Sequence, residues 1–596
     1  MKGFWQTIAA VWRLSAPYFV RSADRWRALA LVVAVTILAL GAVAVSVRLN
    51  TWNRDFFNAM QARDLHAWQG QLLVFGVVGA MQLLIGVGVL YLIQLLEIRW
   101  RKWMTSNYVS AWLERSAHYR MQLITAKVDN PDQRISMDIA LFVEKTLNML
   151  FGDRSVPLST GILGAVASLG SFTVILWGLS ARMPIPINGV NYVIPGFLVW
   201  AALVYSLTTT LVTHVFGRQL IALRFDQQRY EADFRFDLVR VRENSEQIAL
   251  LRGEEAEKER LMGRFGAVVR NWHHLMTRQV KLGVFTASFG VISLILPSLL
   301  VAPAFFLGAI GFGELMQISS AFGVVQGAFS FFVVQYRNVA EWKAIVDRLT
   351  GFEGAVVASR EQASASKIIQ TRAKRGPQAL TVKNVELNLP GDVPLIVSDS
   401  FKVGAGERVL VTGPTGSGKS TMFRAIGGVW PHGSGEIGVP EGASVMVAPQ
   451  RPYLPVGTLS AAMCFPSPPD TWSAEQLTEA LADVGLGHFA DKLDEHAHWD
   501  RRLSLGEQQR IALARVLLHK PDYLLLDEAT SSLDEPSEAR LYKLIRERLP
   551  NTTLISIGHR SALTAFHERR LVVIRDGERS RLVEETPPKA VAAAGA

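Results

Sequence analysis

Up to about residue 340 the chain sets long uncharged apolar runs between charged tracts; beyond that point short apolar runs alternate with polar turns. Runs long enough to cross a bilayer, about 20 residues, lie at 28–49, 72–96, 155–178, 192–216 and 282–309. A sixth, 312–336, carries Glu314, Gln317, Ser319, Ser320, Gln326 and Gln335. That polar load predicts a helix lining a water-filled path; the alternative is a helix–helix interface joined by small and polar residues. The tracts between the runs, 97–154 and 217–281, also read as helical. Phe225, Tyr230, Phe234, Leu238 and Val241 recur at helical spacing, with Glu231, Asp233, Arg235 and Arg240 on the other faces. Residues 360–378, rich in alanine, serine and basic groups without periodicity, read as a linker.

Composition agrees with a large membrane part: 49% hydrophobic and 19% charged residues, with mean hydropathy +0.20. The net charge of +10 is explained by topology and not by nucleic acid. Arginines crowd the ends of the apolar runs, as in Arg25-Trp26-Arg27 and Arg99-Trp100-Arg101-Lys102, and the long tracts are more basic than the short connections around 50–70 and 179–191. The N-terminus and the long loops are therefore expected in the cytosol, and six crossings return the chain there. No cleavable signal peptide is expected. The single cysteine, Cys464, fits a reducing compartment for the soluble half.

The soluble half carries the strongest chemical signal. Gly413-Pro414-Thr415-Gly416-Ser417-Gly418-Lys419-Ser420 fits G-x-x-x-x-G-K-[ST] without mismatch. The apolar Arg408–Val411 before it reads as a strand, and the run beginning at Thr421 reads as a helix. Glycines let the backbone wrap a phosphate chain, and N–H groups at the helix start point at it. Lys419 adds charge for the outer phosphates of ATP, and the Ser420 hydroxyl suits Mg²⁺. Tyr523–Asp527 is an apolar strand that delivers Asp527 and Glu528 at its C-terminal edge. Asp527 is the candidate Mg²⁺ ligand; Glu528 is placed to deprotonate the attacking water. His559, after the apolar Thr553–Gly558, is expected to contact the γ-phosphate. Gln450 is the candidate sensor of Mg²⁺ and water.

Leu503-Ser504-Leu505-Gly506-Glu507-Gln508-Gln509-Arg510 resembles the signature motif of ABC-transporter ATPases, and with Ser531-Ser532-Leu533-Asp534 the set covers about 379–575. The resemblance implies that Ser504 and Gly506 bind the γ-phosphate of ATP held by an opposing subunit, with Asp534 nearby. It further implies a half-transporter working as a homodimer with two composite, hydrolysis-competent sites. The chain departs from the family pattern at Leu505, where many relatives have glycine, and at Glu507, where many have glutamine. Val385–Pro390, where an adenine-stacking aromatic is usual, has none, so adenine is left an aliphatic surface.

Leu49-Asn50-Thr51-Trp52-Asn53-Arg54-Asp55-Phe56-Phe57-Asn58-Ala59-Met60-Gln61 resembles a motif of the SbmA/BacA family and of ABC subfamily D. Asp129-Asn130-Pro131-Asp132-Gln133-Arg134-Ile135, Glu231-Ala232-Asp233-Phe234-Arg235 and Arg242-Glu243-Asn244-Ser245-Glu246 are similar to their cytosolic loops. With its own ATPase, the chain looks like the BacA-related (BclA-type) proteins. That resemblance implies a membrane α-helical domain of six transmembrane helices in an exporter-like type IV arrangement, fused to a cytosolic α/β P-loop ABC ATPase domain. It also implies import of peptides, antimicrobial ones included, or of other hydrophilic compounds such as cobalamin, across a bacterial inner membrane. Export of lipids or drugs, and fatty acyl-CoA transport, are the alternatives. The expected partners are a second copy, membrane lipid and a hydrophilic solute, with no nucleic acid. The expected domains are 1–345 in the membrane, a linker at 346–378, the ATPase at 379–580 and a flexible tail at 581–596. Asn130–Ile135 reads as a capped helix start; the resemblance implies that it docks on the ATPase near Gln450, the alternative being ordinary loop capping.

Overall fold

The computed structural model describes residues 2–123, 130–153, 161–181, 183, 185–187, 190–373, 379–577 and 579–585. It divides into two compact units, residues 1–108 with 132–350, and 109–131 with 351–596.

The first unit is helical. An amphipathic helix, α1 (Lys2–Arg21), precedes α2 (Arg25–Gln61), α3 (Leu65–Leu113), α4 (Ile139–Phe151), α5 (Ile162–Ser180), α6 (Phe197–Glu243), α7 (Ser245–Leu250), α8 (Glu254–Phe306) and α9 (Phe312–Ala365). Four of these, α2, α3, α5 and α8, are long and apolar enough to cross a membrane, and α6 opens with the shorter apolar stretch Phe197–Thr213. The six apolar runs thus fall on α2, α3, α5, α6, α8 and α9. Residues 155–160 of the third run lie outside the described residues. The fourth starts at Phe197, later than its hydropathy indicated, because Val190–Tyr192 pairs with Ile185–Ile187 as a hairpin. Gly196 then turns the chain with φ +68°, and a Cβ there would lie 2.3 Å from the Trp177 ring.

Several polar residues of α9 meet neighbouring helices, which favours the helix–helix alternative for those residues. Gln326 accepts a hydrogen bond from Ser293. Ser319 approaches Ser298 at 3.4 Å and caps back onto Leu315 O at 3.0 Å. The Gln317 carbonyl accepts from Asn50 Nδ2 at 2.9 Å. Glu314 Oε2 accepts from Gly311 N at 2.8 Å, closing the first turn of α9 on itself. In hydrocarbon such groups need protein partners; neighbouring helices supply them for Gln326, Ser319 and the Gln317 carbonyl, while Gln317 Oε1 is buried without one.

The motif at 49–61 acts as a cap for α9. Gln61 Oε1 accepts from Phe312 N at 2.7 Å, and Asn58 Oδ1 accepts from Gly313 N at 2.9 Å. Two of the N–H groups that a helix start leaves unpaired are therefore met by side chains from a helix 250 residues earlier. The contact demands glycine: a Cβ on Gly313 would sit 2.1 Å from Arg54 O and 2.4 Å from Asn58 Oδ1.

The Asn130–Ile135 motif is the expected helix start. A helix does begin at Pro131, but Asn130 is left-handed, with φ 45°. Arg134 turns inward and donates to Asp138 at 2.6 Å, and Arg348 adds bonds of 2.9 and 2.7 Å to the same carboxylate. Burial pushes the Asp138 carboxyl up, but the hydrogen bonds from Arg348 and Arg134 hold it below the usual range. Arg134 thus belongs to an ion cluster with Asp138 and Arg348.

The second unit is built on an eleven-stranded sheet: β1 (Lys367–Ala373), β2 (Ala379–Leu389), β3 (Val393–Ser398), β4 (Phe401–Gly404), β5 (Arg408–Thr412), β6 (Gly433–Pro440), β7 (Val445–Ala448), β8 (Tyr523–Asp527), β9 (Thr553–Ile557), β10 (Arg569–Asp576) and β11 (Arg579–Glu584). The order is β1-β6-β2-β3-β11-β10-β5-β9-β8-β7, with β4 on β2. The run β10-β5-β9-β8-β7 is parallel, and its middle strands β5, β9 and β8 are buried on both faces, as such strands require. Leu525, Ile555, Val409 and Val411 pack with Phe423 and Ile426 on one side; Leu524, Leu526 and Leu554 pack with Ile511 and Leu513 on the other. The tract 360–378 is not a simple linker: α9 continues to Ala365 and β1 joins the sheet beside β6. The tail reading is likewise shortened, because 581–584 belong to β11, where Leu582 is buried and Arg581 pairs with Asp399 at 3.0 Å. Residues 586–596 lie outside the described residues. One contact was not legible from sequence. The short helix Ala117–Leu123 joins this unit, with Arg120 Nη2 donating to Gly428 O at 3.2 Å and Leu123 packing on the core.

Candidate active site

The phosphate loop joins β5 to α10 (Lys419–Ile426), whose N-terminus opens on left-handed Gly418, φ 92°. Side chains are excluded from its two ends. A Cβ at Gly413 would meet Val573 O at 2.7 Å, and one at Gly418 would meet Ile396 Cγ2 at 3.0 Å. Pro414, Thr415 and Gly416 form the exposed rim, while Ser417, Lys419 and Thr421 are buried. The Ser417 hydroxyl is buried without a hydrogen-bond partner, a group that a phosphate oxygen suits. Lys419 Nζ bends back to donate to Gly413 O and Pro414 O at 2.8 and 2.7 Å. Burial pushes its pKa down while Glu528 and Asp527 pull it up. It is an ammonium held by neutral carbonyls and suited to an anionic ligand.

Ser420 Oγ donates to Asp527 Oδ1 at 2.8 Å. Asp527 ends β8, and burial raises its pKa against the Ser420 hydrogen bond. A buried carboxylate beside a hydroxyl is an oxygen pair that fits a hard divalent cation, and Mg²⁺ normally adds substrate phosphates and water to few protein ligands. Consistent with that division, no group of three or more His, Cys, Asp or Glu among the described residues could hold a metal by itself.

Glu528, one residue on, has φ 50°, the left-handed conformation that non-glycine residues seldom adopt. Its backbone is held by Glu528 N to Ile557 O at 3.2 Å and Ser531 N to Glu528 O at 3.0 Å. Its two carboxylate oxygens are held separately: His559 Nε2 lies 3.2 Å from Oε1, and Gln450 Nε2 donates to Oε2 at 3.3 Å. Gln450, Asp527, Glu528 and His559, called from separate stretches of sequence, thus meet at one sheet edge with the phosphate loop.

The signature segment starts helix α11 (Leu505–His519) with a capping box between Ser504 and Glu507. Ser504 N and Oγ both donate to Glu507 Oε2 at 2.8 Å. Gly506 packs flat against the 531–534 loop, where a Cβ would lie 3.3 Å from Ser532 O. Asp534 is exposed at the N-cap position of α12 (Glu535–Arg548). Next to His559, Arg560 donates to Leu533 O at 2.8 Å and to Glu538 at 3.1 Å, fixing the 531–534 loop to the histidine's strand. Sequence reading missed Arg560 and the fully buried Gln509; their only local signal is position inside a motif. In the β2–β3 hairpin the exposed tip pair is Leu389 and Val393, an aliphatic surface as expected.

Comparison with known proteins follows the same division. Residues 14–306 match the model for ABC transporter transmembrane region 2, and 397–531 match that for ABC transporter. The chain is 34% identical to the inner membrane ABC transporter ATP-binding protein YddA of Escherichia coli, over 92% of this chain and 94% of the relative. It is 32% identical to the chloroplastic ABC transporter D family member 2 of Arabidopsis thaliana, over 96% and 86%. It is 26% identical to the human lysosomal cobalamin transporter ABCD4, over 79% of each. A bacterial Atm1-family ABC exporter solved with ATP bound has the same fold, at TM-score 0.67 and 19% identity over 93% of this chain and 94% of that one.

Proposed function

The chain belongs to the ABC transporter family, a membrane protein of exporter-like type IV fold that binds ATP and couples its hydrolysis to transport, and we propose that it imports hydrophilic compounds, peptides or cobalamin, as a homodimer in a bacterial inner membrane. Residues 1–345 form the membrane domain of this reading and 379–580 the ATPase. The observation that carries the chemistry is the carboxylate of Glu528, fixed between Gln450 and His559 beside the phosphate loop. Residues 413–421 cradle the phosphates of ATP, with Lys419 turning from its carbonyls onto the outer ones. Ser420 and Asp527, with Gln450, would hold Mg²⁺, which supplies charge neutralisation at the phosphates. Glu528 accepts a proton from water as the water oxygen bonds to the γ-phosphorus; the bond to the β–γ bridging oxygen breaks, leaving ADP and phosphate. His559 steadies Glu528 and faces the γ-phosphate. Ser504, Gly506 and Asp534 serve the nucleotide of the second copy.

The membrane motif at 49–61 is shared by the SbmA/BacA family and ABC subfamily D, and the cobalamin transporter among the relatives supports a hydrophilic cargo. Fatty acyl-CoA transport, which the resemblance of the 49–61 motif to ABC subfamily D implies, is the second reading. The test is uptake of a labelled antimicrobial peptide, with cobalamin in parallel, by cells lacking their own carriers and expressing either this protein or Glu528→Gln. Uptake with the wild type alone is expected. Equal uptake by both refutes ATP-driven import. No uptake by either, with both in the membrane and ATPase activity stimulated by acyl-CoA, selects the second reading.

A further inference from the structure

We infer that Gln509 is a positioning residue for hydrolysis: its buried amide closes a ring of hydrogen bonds around Glu528 and ties that ring to the signature helix. The side chain, on the third turn-facing position after Gly506 in α11, is 0% exposed. Its Nε2 donates to Gln450 O at 2.9 Å and lies 3.4 Å from Ser531 Oγ. Its Oε1 accepts from Ser532 N at 3.1 Å. The orientation of the amide is fixed, since a backbone carbonyl only accepts and a backbone N–H only donates.

The two loops it joins are the two that hold Glu528. The Gln450 side chain reaches the Glu528 carboxylate, and Ser531 N donates to the Glu528 carbonyl. The circuit therefore runs from Glu528 Oε2 through Gln450 to the amide of Gln509, on to Ser531 and Ser532, and back to the Glu528 backbone. Glu528 sits at φ 50°, a conformation that persists when its surroundings over-determine it. Gln509 supplies part of that determination without touching the reacting atoms. Because it rides on α11, which also carries Ser504 and Gly506, one amide sets both the chain's own acid and the motif offered to the second copy. Neighbouring groups account for other needs: Gln508 donates to Asp500 O and Leu503 O and only secures the start of α11.

This rests on the reading of Glu528 as the catalytic base, and the test separates the two. Gln509→Met keeps length and burial but removes both ends of the bridge. Purified in detergent, the variant is compared with wild type for ATPase kcat and KM, normalised to nucleotide-binding stoichiometry, so that a loss of folded protein does not register. The expected result is a kcat lower by about ten- to a hundredfold, the scale of small misplacements of a catalytic group, with KM for ATP within about twofold and weaker cooperativity in ATP. Unchanged kcat per binding site overturns the inference. A matched rise in KM with unchanged kcat also overturns it, since that describes a binding residue. If Gln509→Met does not fold, Gln509→Asn, too short to reach both Gln450 O and Ser532 N, is expected to give the same split; wild-type kcat in that variant overturns the inference. Failure of the Glu528 reading shows independently, as hydrolysis persisting in Glu528→Gln with Gln509 intact.

Discussion

Gly313→Ala is expected to be among the most damaging single-methyl changes in the membrane unit. The new Cβ would stand 2.1 Å from Arg54 O and 2.4 Å from Asn58 Oδ1, and the first of these is helix backbone near the end of α2, so no side-chain rotation relieves it. Parting α2 from α9 by the ångström or so needed breaks the bonds from Phe312 N and Gly313 N to Gln61 and Asn58. Overpacking of this kind costs about 1–3 kcal/mol, and each lost cap adds about 1 kcal/mol, giving about 3–5 kcal/mol altogether. Gly76→Ala on α3 is the matched control, because nothing lies within 4 Å of a Cβ there. It replaces glycine by a better helix former and is expected within about 1 kcal/mol of wild type, on the stable side. Both variants are heated in detergent and the monodisperse fraction is followed by size exclusion. Gly313→Ala should lose it many degrees earlier than Gly76→Ala. Coincident curves would refute the claim that the 49–61 motif caps α9.

A second expectation concerns pH. Burial pushes the His567 pKa down, and its nitrogens are engaged by Leu563 O and Ser556 Oγ, so the fold holds it neutral. Its contribution is present above the unfolded value near 6.5 and is lost as pH falls below it; melting of the ATPase unit, read by thiol-dye labelling of the buried Cys464, should steepen below that pH in wild type and flatten in His567→Gln. A third concerns Glu507, whose carboxylate occupies both Ser504 N and Oγ where a partner's γ-phosphate is to be bound. Glu507→Gln removes a like charge worth about 1 kcal/mol at 4 Å in water, so the ATP-driven pairing of Glu528→Gln protein should tighten by about fivefold, less at high salt; no change would mean that the carboxylate is turned away in the dimer.

What was legible in the sequence was local. The phosphate loop, Asp527-Glu528 and the signature each sit within a few residues, and apolar strands on either side fix which sheet edge receives them. Their convergence was foreseeable because parallel strands deliver their C-terminal ends together. Pairings over long separation were not legible. Asn58 and Gln61 are ordinary polar residues after a crossing until Gly313 comes beside them. The polar residues at 312–336 look like a wet face because single-sequence reading counts them without seeing Ser293, Ser298 and Asn50 across the interface. Residues 367–373 show no strand alternation strong enough to separate an edge strand from a linker. Gln509 gives no signal of its own, since burial of an amide depends on two loops contributed by distant segments.

The two units treat their polar groups in opposite ways, and the contrast bears on how they work. Around Glu528 both carboxylate oxygens and the backbone N–H and carbonyl are paired, so the acid is held in one arrangement. Along α2 and α9 the outer end is satisfied at Asn58 and Gln61, but further along the same contact Asn50 Oδ1 and Gln317 Oε1 are buried without partners. Asn50 lies eight residues before Asn58, about 12 Å along the helix. Separating the helices at the cap breaks the bonds to Phe312 N and Gly313 N, whereas separating them at Asn50 and Gln317 breaks the bond from Asn50 Nδ2 to Gln317 O but frees two oxygens whose burial costs about 1–3 kcal/mol each. The capped end is therefore the more strongly held part of the α2–α9 contact.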